Sequence, residues 1–398
     1  MLINGRRRVT TAVLAVVTTV ALSLLTPSAS PVSAEEGDLP SAEPCGKSIE
    51  LPYVAVGDGI PFGAKKVDDS KDGDDGDRFP EKLTKILQDA HFPFCLHNVA
   101  RGSTTTDDYQ DEDIQELGGF TQQSLAHDLR PRLVTLNLGR EQDLIREHIS
   151  TCMGFIKNHQ FIEANVCALG ILTGGPWRKL NDDLSDILNQ LKVQMDGNPR
   201  MVVAVIGYYN PYPRATDVAT QIPGFCAELQ DTIPTCLIRW LMLPPVLVTM
   251  DQITKKLNST IEAVVKRFSL ASQGSFYFVN PYEAFEDHCM SMDVQIKTTV
   301  YHPTNTVHNH DADEDFGCED EEWVKSDGDE GNLPPWHYLP PAVTGVLINT
   351  TQTTKNMGAY PNADGNDCLA KLVYNADNGW EPLKQKLGIP VALEEDPC

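Results

Sequence analysis

Four short apolar runs, each closing on glycine, asparagine or proline, place the strongest constraint on how this chain folds. They are rich in β-branched and aromatic residues, and residues 95–100 form a weaker fifth candidate. Strands that are apolar on both faces are typical of parallel sheets covered by helices. The four runs are residues 51–57, 132–138, 201–207 and 275–280.

Segments with helical spacing alternate with these runs. In residues 178–195, leucine and isoleucine recur at spacings of three and four, which places an apolar stripe on one side of a helix. The alternation predicts right-handed crossovers and a three-layer α/β/α fold around a parallel sheet. Its functional cleft should open where the strands end, at residues 57–59, 139–141 and 207–209. The predicted helices cover residues 80–90, 119–128, 141–158, 178–195 and 245–271.

The first 34 residues have the pattern of a secretory signal peptide. Three arginines at 6–8 precede an apolar run from Val9 to Leu25, and residues 32–34 form a small-x-small cleavage site. We therefore expect residues 1–34 to be removed and residues 35–398 to form a single, secreted, extracellular domain. An uncleaved anchor is the alternative, since about 17 apolar or hydroxyl residues approach spanning length. After cleavage we expect no stable membrane insertion.

Acidic residues dominate the charge of the chain. The formal net charge of −24 repels phosphate backbones and anionic lipid, so nucleic acid is not an expected partner. Residues 67–77 and 311–332 are too acidic and glycine-rich to pack. This composition predicts surface insertions near 67–77 and 303–335.

Weak metal candidates occur in these acidic segments. Asp68, Asp72 and Asp74 follow the first half of a calcium-loop pattern, but its twelfth position is Phe79 rather than glutamate. A looser calcium site is therefore the alternative to a solvated loop, and no cofactor is required. Further calcium candidates are Asp311, Asp313, Asp315, Asp327 and Asp329, and His308 and His310 with Asp311 are candidates for a transition metal.

All ten cysteines follow the predicted cleavage site. An even number in an exported chain predicts up to five disulfides, and no CxxC or Cys/His pair has zinc-ligand spacing. Pairs such as Cys152/Cys167 and Cys226/Cys236 would close short loops, while the full connectivity stays open. The cysteines are Cys45, Cys95, Cys152, Cys167, Cys226, Cys236, Cys289, Cys318, Cys368 and Cys398.

Six blocks, in order along the chain, carry a resemblance to a known family. VAVGDGIPFG at 54–63 is similar to a hydrophobic strand followed by GDS, and GAYPNADGNDCLA at 358–370 to a D-x-x-H-P-N-x-x-G block before a helix. Over most of residues 50–375 the chain resembles the secreted, cysteine-rich bacterial SGNH (GDSL-type) esterases and lipases. The resemblance implies a flavodoxin-like parallel sheet ordered 2-1-3-4-5. The other blocks are residues 98–108, 133–152, 205–213 and 278–289.

The side chains on which that family's chemistry depends are replaced here. Gly59 stands at the position of the nucleophilic serine, and glycine offers no atom to attack a carbonyl. Glu141 stands at the position of the oxyanion-hole asparagine, where a carboxylate would repel the developing charge. Met357 and Tyr360 stand at the positions of the aspartate and histidine. Gly102, whose backbone N–H would join the oxyanion hole, matches.

Three functions are compatible with these residues. The first is a catalytically impaired, monomeric relative that binds an ester, lipid or glycan ligand in the old cleft. The second is an active carboxylic-ester hydrolase with a displaced nucleophile, Ser103, and His302 as its base. The third is an acidic, calcium-dependent secreted scaffold. The first hypothesis places Asp58, Gly59, Gly102, Glu141, Met357 and Tyr360 at the cleft, with Asp58 supporting the loop or pairing with Glu141.

Overall fold

A computed structural model describes most of the chain between Glu50 and Ile389. The chain divides into two units, Met1–Asp38 and Leu39–Cys398, and all described residues belong to the second. Side chains are not described in the strands beyond residue 291, Pro361 excepted, nor at Phe161, Leu243 and Ala363. The described residues are 50–62, 78–101, 104–109, 121–139, 151–152, 155, 160–211, 214–216, 219, 243–285, 292–301, 307–316, 324–325, 330–331, 347–355, 360–361 and 363–389.

A five-stranded parallel sheet forms the centre of the fold, in the order β2-β1-β3-β4-β5. This confirms the predicted architecture and the strand order implied by the SGNH resemblance. Every residue of β3 and β4 is buried, because helices cover the sheet and leave neither face to solvent. The strands are β1 Leu51–Gly57, β2 Phe94–Asn98, β3 Leu133–Asn137, β4 Val202–Ile206 and β5 Phe276–Val279.

Helices flank this sheet. Helix α5 buries the apolar stripe predicted within residues 178–195, and α6 packs against both α4 and α5, while α2 packs against α7. None of the described helices is long and apolar enough to cross a membrane. The described helices are α1 Gly59–Phe62, α2 Phe79–Asp89, α3 Gln122–Asp128, α4 Phe161–Thr173, α5 Pro176–Gly197, α6 Leu243–Ala271, α7 Ala363–Tyr374 and α8 Leu383–Leu387.

A second, antiparallel sheet follows the first along the chain, in the order β7-β6-β10-β9, and β11 pairs separately with β8. The ten residues of β6 pair with all ten of β7. The sequence did not predict these strands, and in β7 the acidic residues have low strand propensity. They are β6 Met292–Tyr301, β7 Val307–Phe316, β8 Val324–Lys325, β9 Glu330–Gly331, β10 Leu347–Lys355 and β11 Tyr360–Pro361.

One predicted disulfide is present within the described residues. Cys152 and Cys167 are bonded across a separation of 15 residues, which confirms this local pair. Closing a loop of this length contributes about 3 kcal/mol in the loop-entropy model. Cys95 and Cys368 are also disulfide-bonded, to partners outside the described residues. Six cysteines lie outside the described residues: Cys45, Cys226, Cys236, Cys289, Cys318 and Cys398.

Candidate functional site

The carboxyl end of β1 makes a sharp turn into α1. Gly57 has φ of +147°, and a Cβ atom on it would lie 2.4 Å from the backbone oxygen of Asn137. The next backbone N–H, that of Asp58, donates to the same oxygen at 3.0 Å. Helix α1 then begins at Gly59. The turn therefore requires glycine at position 57 and brings Gly59 to the edge of the sheet.

Asp58 is buried and fixes the turn from both sides. Its Oδ1 accepts a hydrogen bond from the backbone N–H of Ile60 at 3.1 Å, and its Oδ2 accepts one from the Tyr208 hydroxyl at 2.6 Å. Tyr208 follows β4, so the carboxylate connects the ends of β1 and β4. These contacts match the loop-supporting role that the resemblance implies for Asp58. The sequence placed Tyr208 at this edge but assigned it no partner.

Gln122, the first residue of α3, is a buried side chain that the sequence analysis missed. Its Oε1 accepts from the backbone N–H of Gly57 at 3.0 Å, and its Nε2 donates to the Gly57 carbonyl at 3.2 Å. Nε2 also donates to the Thr104 hydroxyl at 3.1 Å. One amide therefore satisfies both backbone groups of the residue that makes the turn. Nothing in the sequence near position 122 signals a contact across 65 residues.

Replacing Gln122 by leucine should lower the free energy of unfolding by about 2–3 kcal/mol, because the buried Gly57 N–H would lose its partner. Urea denaturation of the variant and the parent measures the change. Gln123→Leu, at the partly exposed neighbouring position, should shift stability by only about 0.5 kcal/mol. Equal losses in the two variants would show that Gln122 does not hold the turn.

The end of β2 lies against the same turn. Asn98 donates through Nδ2 to the Pro61 carbonyl at 2.8 Å, and its Oδ1 accepts from the backbone N–H of Ala100 at 3.2 Å. The backbone N–H of Arg101 donates to the Gly57 carbonyl at 3.1 Å. Partial burial lowers the pKa of Arg101, an effect that nearby Asp108 opposes. Arg101 thus adds a cation to the loop that adjoins the turn.

The hydroxyl groups of the three threonines that follow Arg101 and precede Asp107 all donate hydrogen bonds within the protein. Thr104 donates to the Arg101 carbonyl at 3.1 Å, and Thr105 donates to Asp108 at 2.9 Å. Thr106 donates to Asp183 of α5 at 2.7 Å, which fixes this loop to a helix. All three threonines are buried. Their geometry indicates structural roles.

The ends of β3, β4 and β5 are joined by two asparagines. Asn137 donates through Nδ2 to the Ile206 carbonyl at 2.9 Å. Asn258 of α6 accepts from the Tyr208 N–H at 2.7 Å and donates to the Tyr208 carbonyl at 2.6 Å and to Asn280 at 3.1 Å. Asn258 also begins an N-glycosylation sequon, but its buried and bonded amide is inaccessible to a glycosyltransferase in the folded chain.

The last block of the resemblance lies next to the first. Cα atoms of β11 come within 8 Å of those of α1, so the backbone of Tyr360 is near the helix that begins at Gly59. Asn366 of α7 holds this arrangement, since it donates to the Pro361 carbonyl at 3.1 Å and accepts from the Phe79 N–H at 3.2 Å. The positions that match serine and histidine are thus brought together. The side chain of Tyr360 is not described.

The other predicted site residues are not tested. Gly102, Ser103, Glu141, His302 and Met357 lie outside the described residues, so their roles stay predictions. The same holds for Asp68, Asp72, Asp74, Asp327 and Asp329, while His308, His310, Asp311, Asp313 and Asp315 are described only as backbone positions of β7. Within the part of the chain whose side chains are described, no three His, Cys, Asp or Glu residues are grouped so as to hold a metal. Calcium binding therefore also stays a prediction.

No protein-family model and no curated protein sequence matches the chain. Among solved structures, it is similar to an extracellular lipase from Streptomyces rimosus, with 16% identity, 79% of this chain and 94% of that chain covered, and a TM-score of 0.37. It is also similar to phospholipase A1 from Streptomyces albidoflavus NA297, with 16% identity, coverages of 60% and 83%, and a TM-score of 0.36. A carbohydrate acetylesterase from Sinorhizobium meliloti gives 13% identity, coverages of 57% and 84%, and a TM-score of 0.31. At these values no residue role is transferred from those proteins.

Proposed function

We propose that this chain is a secreted relative of the SGNH esterases and lipases that binds an ester, lipid or glycan ligand without hydrolysing it. The observation that carries the proposal is the turn after β1. The backbone at Gly57 is strained, Asp58 is buried, and Gln122 hydrogen-bonds both backbone groups of Gly57. Together these features support a loop that presents one residue at the edge of the sheet. That residue is Gly59, which has no side chain to react.

The chemistry of the edge supports this proposal. Without a nucleophile no acyl-enzyme forms, so the two-step route of ester hydrolysis is closed. The sequence places Tyr360 at the position of the general base, and a phenol with an ordinary pKa near 10 is a poor base at neutral pH. The carboxylate nearest to Gly59 in the sequence, Asp58, is occupied by Ile60 and Tyr208.

Binding, in contrast, needs only a shaped and rigid edge. Hydrogen bonds from Gln122, Asn137 and Asn258 join α3 and α6 to the ends of β1, β3, β4 and β5. A further contact stacks Tyr209 against Phe285, with ring centroids 4.5 Å apart. A cleft held in this way loses little conformational freedom when a ligand enters, which favours affinity.

Hydrolysis of short p-nitrophenyl esters tests the proposal. We expect the parent chain to release p-nitrophenol no faster than buffer. The variant that restores the family's residues, Gly59→Ser with Glu141→Asn, Met357→Asp and Tyr360→His, should release it measurably faster. The matched control carries the last three substitutions and keeps Gly59, and it should stay inactive because it lacks the nucleophile.

Three results would contradict the proposal. Hydrolysis by the parent that disappears in Ser103→Ala would establish the displaced-nucleophile enzyme instead. A melting temperature lowered by EDTA and restored by calcium, in a protein whose stability short esters, lipids and glycans leave unchanged, would favour the calcium-dependent scaffold. A folded restored variant without activity would show that the cleft does not lie at Gly59.

A further inference from the structure

Helix α4 carries an apolar stripe on its outer face. Ile162, Val166 and Leu169 are spaced by four and three residues, so they lie on one side of the helix, and their exposed fractions are 63%, 65% and 43%. The opposite side, with Ala164 and Ala168, is fully buried. A helix that is apolar all round is ordinarily covered on every side. Here one side faces solvent.

The surroundings of the stripe make it more apolar. Glu163 is the only charged residue of α4. The Thr173 hydroxyl, one turn beyond Leu169, donates to the Leu169 carbonyl at 2.8 Å and so offers no free donor. Val248 of α6 is 45% exposed, and its neighbour Thr249 has its hydroxyl 3.0 Å from Oδ1 of Asn165 in α4. Val248 is thus an exposed apolar side chain on the helix that packs against α4.

The stripe lies on a rigid support near the proposed cleft. The disulfide between Cys152 and Cys167 anchors α4, and the Trp177 indole N–H donates to the Ile171 carbonyl at 3.0 Å. Three residues after Val248, Asp251 accepts a hydrogen bond from Tyr282, which follows β5. The first turns of α6 are thus at the carboxyl edge of the sheet. The stripe lies beside them.

We infer that the α4 stripe, Ile162, Val166 and Leu169, together with Val248 of α6, docks the protein on a neutral phospholipid surface beside the cleft. This rests on the proposed function, because it narrows the ligand class to lipid. The four residues expose on the order of 400 Å², about half of what each partner contributes to a standard protein interface. Two copies of a chain with a net charge of −24 also repel each other. These arguments disfavour a second copy as the occupant.

The net charge of the protein determines which lipid surfaces it can approach. The stripe has no lysine or arginine, so nothing in it attracts anionic headgroups, and the net charge of the whole chain opposes them. Phosphatidylcholine carries no net charge and imposes no such repulsion. An apolar helix face reaches about 5–10 Å into the boundary between headgroups and acyl chains. We therefore expect the side chains of the stripe to approach the acyl chains.

Tryptophan substitutions in the full chain test this inference. Val166→Trp adds a reporter within the stripe, and Val193→Trp adds one on α5 at a valine that is equally exposed, at 63%. With vesicles of phosphatidylcholine brominated in its acyl chains, the added fluorescence of Val166→Trp should fall by about half relative to unbrominated vesicles. That of Val193→Trp should not change. Adding Leu169→Glu to Val166→Trp should remove most of the quenching.

Several other outcomes would overturn the inference. Equal quenching at both positions would indicate general adsorption, including adsorption through Val9–Leu25, and no quenching would mean that the stripe meets no lipid. A dimer in sedimentation that dissociates on Val166→Glu would identify a second copy as the occupant. Blue-shifted emission of Val166→Trp without vesicles would show that another part of the chain covers the stripe.

Phosphatidylglycerol mixed into the vesicles should weaken quenching, and stronger quenching would contradict the choice of a neutral surface. Ester hydrolysis by the parent would defeat the proposed function without changing these readouts.

Discussion

Replacing Gly57 by alanine should lower the free energy of unfolding by about 3 kcal/mol or more. The backbone has φ of +147°, which L-residues rarely adopt, and the new Cβ would meet the Asn137 carbonyl at 2.4 Å and Pro61 at 2.9 Å. Strand β3 and its Asn137 carbonyl cannot move away easily, because Asn137 pairs with Gly57 in the sheet. Urea denaturation with a shared slope for parent and variant gives the difference.

Gly170→Ala is the matched control for this change. Gly170 lies inside α4, and a Cβ atom placed on it meets nothing within 4 Å. Alanine there should stabilise the protein by about 0.5–1 kcal/mol, since it restricts the unfolded chain and favours the helix. If Gly57→Ala proved as harmless as Gly170→Ala, the strained turn that presents Gly59 would not exist in solution.

The parallel sheet could be predicted because its strands are uniformly apolar. Residues of β1, β3, β4 and β5 are buried on both faces, so the sequence shows continuous runs of valine, leucine and aromatic residues. The strand order, in contrast, could not be predicted from the apolar pattern of the strands. Local patterns do not specify which strands are neighbours, and the order 2-1-3-4-5 came from the resemblance of the blocks that follow each strand.

Helix α4 and strand β7 of the second sheet were not predicted from the sequence, for opposite reasons. Residues 161–173 are mostly apolar, with Glu163 as their single charged residue, so they lack the periodic contrast that marks an amphipathic helix. Strand β7 reads VHNHDADEDF, whose acidic residues favour irregular structure by intrinsic propensity. It nevertheless pairs with β6 along its whole length. Pairing with a partner strand overrides a weak local preference.

The site could be predicted only in part. Gly57, Asp58 and Gly59 are adjacent in the chain and follow an apolar strand, which is a local signal. The partners that fix them are remote, since Gln122 is 65 residues from Gly57 and Tyr208 is 150 residues from Asp58. Such contacts arise because parallel strands bring their carboxyl ends to one edge, and neither glutamine nor tyrosine has a local pattern that reveals its partner.

Above pH 10 the stability of the protein should fall steeply, because each deeply buried tyrosine contributes about 1.4 kcal/mol per pH unit to the loss. Burial raises the pKa of Tyr53, Tyr109 and Tyr277 well above the ordinary value. The unfolded chain releases these protons near pH 10 while the folded chain keeps them. Their contribution to stability is therefore fully present below pH 10 and is lost as pH rises beyond it. Urea midpoints at a series of alkaline pH values, with phenolate absorbance recorded in parallel, measure the slope.

Two phenylalanine variants separate this effect from general alkaline damage. Tyr109→Phe should reduce the slope by about 1.4 kcal/mol per pH unit. It should leave stability at neutral pH unchanged or slightly higher, because the Tyr109 hydroxyl has no hydrogen-bond partner among the described residues. Tyr53→Phe should reduce the slope equally but cost about 1 kcal/mol at neutral pH, since its hydroxyl lies 2.9 Å from that of Thr135. Phenolate absorbance that rises near pH 10 while the protein stays folded, with all tyrosines titrating, would mean that neither ring is buried in solution. The apolar centre around β1 would then need a different packing.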